Sequence, residues 1–132
     1  MIGYTDNLDG IAADKLQGFF EGWPNPPDPA THLRLLQGSS HVGLAWRDDR
    51  VIGFITAISD GVLSAYIPLL EVVPDERGNG VGAELLRRML ERLDVYMVDL
   101  MCDPNRMAFY KRNGMRPTQG MALRNYSRQS GS

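Results

Sequence analysis

The sequence holds one cysteine, Cys102, and two histidines, His32 and His41. One cysteine forms no intrachain disulfide, and so few Cys and His residues build no metal site. A chain without disulfides suits a reducing cytosol, so a cytoplasmic location is the expectation. No base partner for Cys102 is evident, so a buried structural thiol is expected there rather than a nucleophile. The histidines are expected at the surface or in strands. Long apolar runs are also missing. The longest, residues 65–73, contains Pro68 and Glu71 and is far too short to span a membrane. The first six residues carry no basic region and no apolar stretch, so they do not read as a signal peptide.

Acids are missing from one part of the chain. Residues 104–132 carry six bases and no acid, whereas residues 1–76 carry eleven acids and four bases. Solvated surface is one reading of this asymmetry; an anion held by the C-terminal half and a cation by the N-terminal half is the other. The net charge is −2 and no recognition motif occurs, so nucleic acid is not an expected partner.

What is present is an ordinary globular composition, 43% hydrophobic and 23% charged over 132 residues. That length suits one domain, 1–132, with its own core. Ile11, Leu16, Phe19 and Phe20 recur at roughly helical spacing behind Asp9. Four prolines between Pro24 and Pro29 then enforce a stiff loop. Thr31 is a candidate cap for a second short helix ending at Gly38. Residues 41–46, 51–58 and 62–73 read as three strands joined by short turns, hence antiparallel. Val81, Leu85, Leu86, Met89, Leu90 and Leu93 fall on one face of an amphipathic helix. Residues 95–101 read as a strand, 104–113 as a helix closed by Gly114, and 115 with 121–126 as one or two last strands. Residues 127–132 read as a frayed tail. Six of the seven methionines lie at or after Met89. Core packing, an adaptable cavity and a homodimer contact are the readings open to them.

Glycine is the one compositional excess, and Gly78, Gly80 and Gly82 fall within five residues. They sit between the end of a strand and the start of a helix. Missing Cβ atoms let successive amides converge on an anion, and the helix dipole adds positive character there. No Gly-Lys-Ser/Thr follows, which excludes a Walker loop. Gly78-Asn79-Gly80-Val81-Gly82-Ala83 matches G-x-G-x-x-A, with Asp99 about twenty residues on. The hairpins before it and the short chain after it do not suit a doubly wound nicotinamide-binding sheet.

A third pattern accommodates both flanks. Arg77-Gly78-Asn79-Gly80-Val81-Gly82, preceded by Val72 and Pro74, resembles the R/Q-x-x-G-x-G/A motif of the GCN5-related N-acetyltransferases. Phe109-Tyr110-Lys111-Arg112-Asn113-Gly114-Met115 is similar to the F/L-Y-x-x-x-G-F/M segment of that family. The resemblance covers nearly the whole chain. It implies an α/β (α+β) fold whose central mixed, mostly antiparallel sheet is flanked by helices.

The resemblance also implies roles. Amides from Arg77, Gly78, Asn79, Gly80, Val81, Gly82 and Ala83 would hold the pyrophosphate of acetyl-CoA. The main chain of Leu70 to Val73, including Val72, would run beside the pantetheine arm. Asp103 stands where the family often has a cofactor-contacting asparagine. Tyr110 would lie beside the thioester sulfur. A thiol near 8.5 is a stronger acid than a phenol near 10, so full proton transfer from Tyr110 would be uphill by about 2 kcal/mol. Tyr110 is therefore read as a hydrogen-bond donor to developing thiolate.

An alkylamine must lose a proton before it attacks, and Glu71, an acid within an apolar strand, is the first candidate base. Asp99 is the alternative; Tyr66 and Pro68 occupy the strand positions where other members place theirs. The loop of residues 20–28, with Phe20 and Trp23, would overhang the acceptor. The expected activity is transfer of acetyl from acetyl-CoA to a primary amine, on a small molecule or a protein, with no metal. A non-catalytic acetyl-CoA-binding sensor and a nicotinamide-binding protein are the rivals.

Overall fold

The computed structural model describes all residues, Met1–Ser132. Five strands form one sheet in the order β1-β2-β3-β4-β5. They are β1 (Ile2–Thr5), β2 (His41–Arg47), β3 (Arg50–Ser59), β4 (Ser64–Val72) and β5 (Met97–Asp99). The first three pairings are antiparallel and β4–β5 is parallel. Short turns join β2, β3 and β4, and short turns permit only antiparallel neighbours. The parallel step from β4 to β5 needs a crossover, supplied by helix α2 (Val81–Arg92). Two further helices are α1 (Pro29–Gly38) and α3 (Met107–Arg112). This is the expected mixed, mostly antiparallel α/β architecture.

Strand β3 is buried continuously from Val51 to Ala57 because both faces of the sheet are covered. On one face Ile52 and Ile55 pack with Val81, Leu85, Leu86 and Met89 of α2. On the other, Val51 and Phe54 pack with Leu16, Phe20 and Leu36. Gly53 permits this approach: a Cβ there would meet Val81 and Leu85 at 3.0 and 3.1 Å.

Several local expectations differ from the structure. Strand β1 at Ile2–Thr5 is an element beyond those expected. Residues 9–20 form no α-helix, only a 3-10 turn at Ala13–Lys15. Gly10, Gly18 and Phe20 all take positive φ, which breaks a helical path. The cap of α1 is Asp28, whose Oδ1 accepts from the Thr31 amide at 2.8 Å, with Pro29 in the first turn. Residues 115–125 form no strand. The tail is not frayed: Tyr126–Arg128 makes a 3-10 turn and Gln129 Oε1 accepts from the Asn25 amide at 2.9 Å. Cys102 is exposed rather than buried. His32 is only 1% exposed, not a surface residue.

Candidate active site

Strand β4 changes partners along its length. It pairs with β5 only at Ser64, Ala65 and Tyr66. Beyond Tyr66 it keeps β3 on one side and has no strand on the other. Pro68 lies on this released stretch, where a missing amide is tolerated. The gap between the diverging strands opens into a cleft of about 720 Å³. Its walls include every residue from Ile67 to Val72, the turn at Glu76–Gly78, the start of α2, the Met101–Asp103 segment and α3.

The glycines at the cleft floor have two distinct tasks. Gly78 (φ 85°) and Gly80 (φ 77°) adopt left-handed backbone, and a Cβ on either would enter open space. Gly80 caps α2 with no side-chain acceptor, so the first-turn amides of Val81, Gly82 and Ala83 have no partner within the helix. Gly82 is instead a packing residue. Its Cα faces the ring of Phe109, and a Cβ would lie 3.6 Å from Phe109 Cζ.

The turn is braced from behind. Glu76 is nearly buried and accepts from Arg47 through both carboxylate oxygens, at 2.5 and 2.9 Å. That guanidinium holds the Glu76 carboxyl below its usual range. Asn79 Nδ2 donates to Glu76 Oε1 at 3.2 Å, so its side chain stiffens the turn rather than lining the cleft. Arg77 Nε donates to the Val72 carbonyl at 3.2 Å, and its Nη1 pairs with Glu21 at 3.2 Å.

Leu70, Val72, Arg77, Gly78, Gly80, Val81, Gly82, Ala83 and Asp103 all line the cleft. Val73 does not. Its side chain is fully buried and its amide donates to the Ile52 carbonyl at 2.9 Å, so nothing of it faces a ligand. Phe20 is a second correction. Its ring is 3% exposed and packs on Trp23, His32 and Phe54, away from the cleft. Only its backbone reaches the site: the Phe20 amide donates to Glu71 Oε1 at 2.8 Å. Trp23 does line the cleft, as does Glu21 beside it. Arg106 and Arg112 also line it. The run of bases after residue 103 was a signal for cations there, but spacing alone could not single out these two.

Glu71 and Tyr110 share the cleft wall. Burial pushes the Glu71 carboxyl upward, offset in part by the Phe20 amide and the Arg77 charge. Burial likewise raises Tyr110, with Cys102 adding to the rise and Arg106 opposing it. Tyr110 thus remains a protonated donor, while Glu71 is tuned toward a weaker acid. Asp99 sits opposite Tyr66 in the β4–β5 register and is not part of the wall.

A splayed parallel pair, a glycine turn with free helix amides and a tyrosine on the next helix occur together here. The family model for the GNAT acetyltransferases matches residues 8–115. The chain belongs to the GNAT acetyltransferase family.

A crystal structure of a candidate acetyltransferase from Deinococcus radiodurans R1 superposes with a TM-score of 0.95 at 48% identity. It covers 98% of this chain and 92% of that one. A GNAT acetyltransferase from Streptococcus pneumoniae TIGR4 shares the fold, with a TM-score of 0.77 at 24% identity, covering 95% and 98%. An uncharacterized N-acetyltransferase, ycf52, of Porphyra purpurea is 26% identical over 119 residues, 84% of this chain and 68% of that protein. No helix of this GNAT chain is long and apolar enough to cross a membrane. The topology also disposes of the nicotinamide reading. The sheet contains a single parallel step and ends at β5, and its third glycine packs a helix instead of facing a dinucleotide.

Proposed function

We propose that this GNAT acetyltransferase uses acetyl-CoA and acetylates a primary amine by direct attack within a ternary complex. The observation that carries the reading is the released edge of β4 from Ile67 to Val72, bounded by the free amides of α2 and, across the cleft, by Tyr110. An extended amide-bearing arm can add to that edge as a strand would. The amides of Val81, Gly82 and Ala83, at the positive end of the α2 dipole, suit a pyrophosphate. Arg106 and Arg112 add positive charge to the same cleft. Acetyl-CoA, when bound, supplies the activated acetyl thioester.

The remaining work falls to the chain. Trp23 and Glu21 offer an aromatic face and a carboxylate to a cationic amine. Glu71 accepts the ammonium proton, since an amine near 10.4 costs about 4.6 kcal/mol to deprotonate at pH 7. Tyr110 donates a hydrogen bond to charge developing on the leaving sulfur. The position between the residues released from β5 and the acceptor loop supports this division of labour.

One observation favours the second reading, a non-catalytic acetyl-CoA-binding domain: one Glu71 oxygen is already held by the Phe20 amide. A free-thiol assay with acetyl-CoA against polyamines, amino acids, aminoglycosides and peptide amines separates the two. Amine-dependent thiol release supports the transferase. Thermal stabilisation by acetyl-CoA with no thiol release from any amine class supports the binding domain.

A further inference from the structure

The Arg77 guanidinium has two partners in the cleft. Its Nη1 pairs with Glu21 at 3.2 Å, and its Nε donates to the Val72 carbonyl at 3.2 Å. Its charge also reaches Glu71, whose carboxyl it lowers against the rise from burial. The Arg77 and Glu21 side chains are 47% and 57% exposed, so their pair can part without disturbing the core.

The contact with Val72 blocks something. Val73 turns its amide to Ile52 of β3. Successive residues of a strand point their polar backbone groups to opposite sides, so the Val72 carbonyl faces away from β3, along the released edge. An extended amide-bearing arm added to that edge would pair with the same carbonyl. Arg77 Nε is already on it. The turn that carries Arg77 leads directly into the free first-turn amides of α2. A pyrophosphate there presents two negative charges against the single charge of Glu21, and guanidinium groups bind phosphates through paired, charge-assisted hydrogen bonds.

We infer, on the acetyl-CoA reading of the cleft, that Arg77 exchanges partners when the substrates bind: it leaves Glu21 and the Val72 carbonyl for the cofactor pyrophosphate, and Glu21 passes to the ammonium of the acceptor. In the free chain Glu21 holds Arg77 back and lowers cofactor affinity. An ammonium that takes Glu21 releases Arg77 to the phosphates. A cofactor that takes Arg77 releases Glu21 to the ammonium. Each substrate therefore tightens the other by the same factor, as linkage requires. The strength of an exposed ion pair limits that factor to about two- to fivefold. The exchange needs a cation at Glu21, so it favours acceptors that arrive as alkylammonium ions over neutral arylamines.

Calorimetric titration with CoA reads the cofactor half without turnover. Glu21→Gln removes the competing charge and should tighten CoA binding by about two- to fivefold. Arg77→Met should weaken it, and adding Glu21→Gln in that background should change nothing further, because no guanidinium is left to release. Trp23 reads the other half. In a Trp46→Phe background it is the only tryptophan. Saturating CoA should increase quenching of its fluorescence by caesium ions, and Glu21→Gln should remove most of that increase. An unchanged or weaker CoA affinity in Glu21→Gln overturns the inference. So does equal tightening with and without Arg77, or a caesium effect that survives Glu21→Gln. Failure of the unaltered chain to bind CoA at all overturns the acetyl-CoA reading, and the exchange with it.

Discussion

The Phe20 amide and the Glu71 carboxylate are joined at 2.8 Å across 51 positions of sequence. Phe20 itself sits at φ 61°, a strained value for a residue with a side chain. The contact ties the loop of residues 20–28 to the released strand β4. A second tie, Arg77 to Glu21 at 3.2 Å, joins the same loop to the glycine turn. The loop that carries Trp23 is therefore fastened to both parts of the proposed cofactor cleft. Under the proposed function Glu71 would have two tasks, one oxygen anchoring the loop and the carboxylate as a whole accepting a proton.

Those tasks separate on substitution. Glu71→Gln keeps an oxygen for the Phe20 amide but removes the base, so kcat should fall by about 10²-fold or more with acetyl-CoA affinity unchanged. Glu71→Ala removes both and should also raise the acceptor KM. The pH profile supplies the sign. The reaction needs the ionised carboxylate, and burial raises its pKa in the folded protein. The acid limb of kcat should therefore lie above the ordinary carboxylate range and should vanish in Glu71→Gln. An unchanged acid limb in that variant would assign the proton transfer to another group.

Tyr110→Phe tests the other side of the reaction. Losing one donor aimed at developing negative charge costs on the order of 10²-fold in kcat. The ring stays, so its T-shaped packing on Phe109 at 5.0 Å is retained and acetyl-CoA binding should hold. Since burial raises the tyrosine's pKa, it is protonated through the whole physiological range. A substrate with a better thiolate leaving group should be less sensitive to the substitution. Equal losses for both substrates would mean that the hydroxyl acts elsewhere than on the leaving sulfur.

Much of the site was legible because its signals are local. Gly78 and Gly80 are glycine for a backbone reason that spacing reveals, and Tyr110 lies a fixed distance behind Phe109 on one helix turn. Long-range contacts carry no such signal. Nothing near Phe20 in sequence shows that its ring turns inward on His32 and Phe54 while its amide turns to Glu71. Val73 reads like the strand residues before it, yet its amide is spent on Ile52. The failed helix at residues 9–20 has a similar origin. Its apolar spacing was genuine burial of Leu16 and Phe20, reached through positive-φ turns at Gly10 and Gly18 rather than a helical path. The strands expected at 115 and 121–126 do not form; the sheet ends at β5.

Gly80 and Gly82 predict different failures. At Gly80 any side chain is strained by φ 77°, costing about 1–2 kcal/mol. Gly80→Glu adds a carboxylate beside the amides of α2 and should abolish thermal stabilisation by acetyl-CoA, which for a saturating ligand at a hundred times its Kd is about 2.7 kcal/mol. Gly82 has ordinary φ and lies against Phe109 at van der Waals distance. Gly82→Ala should therefore be tolerated with little change in binding. A reversed order of effects in a calorimetric titration with CoA would contradict the division between cradle and packing glycines.

Trp23 is the proposed contact for the acceptor. It stands in the cleft wall with its ring 5.0 Å from that of Phe20. A desolvated cation over an aromatic face is worth about 2 kcal/mol. Trp23→Ala should raise the acceptor KM by about thirtyfold and leave acetyl-CoA binding alone. Parallel losses in both affinities would mean that the whole loop had collapsed instead.

His32 gives the fold an acid-sensitive point that has no part in the reaction. It lies under Phe19, Phe20 and Phe54, with its ring centroid 4.4 Å from that of Phe54. Its Nε2 has no hydrogen-bond partner. Burial lowers its pKa from 6.5 to about 4. Between those values the unfolded chain binds a proton that the folded chain refuses. His32 therefore costs no stability above pH 6.5, and stability drains away as pH falls from 6.5 toward 4, with a slope approaching about 1.4 kcal/mol per pH unit. His32→Leu removes the titration and the unpartnered nitrogen together. Urea melts at pH 7.5 and pH 5 should show that the parent loses more stability between them than the variant does. Equal losses in the two proteins would move the acid sensitivity to the carboxylates, with Glu76 and its Arg47 pair the next place to measure.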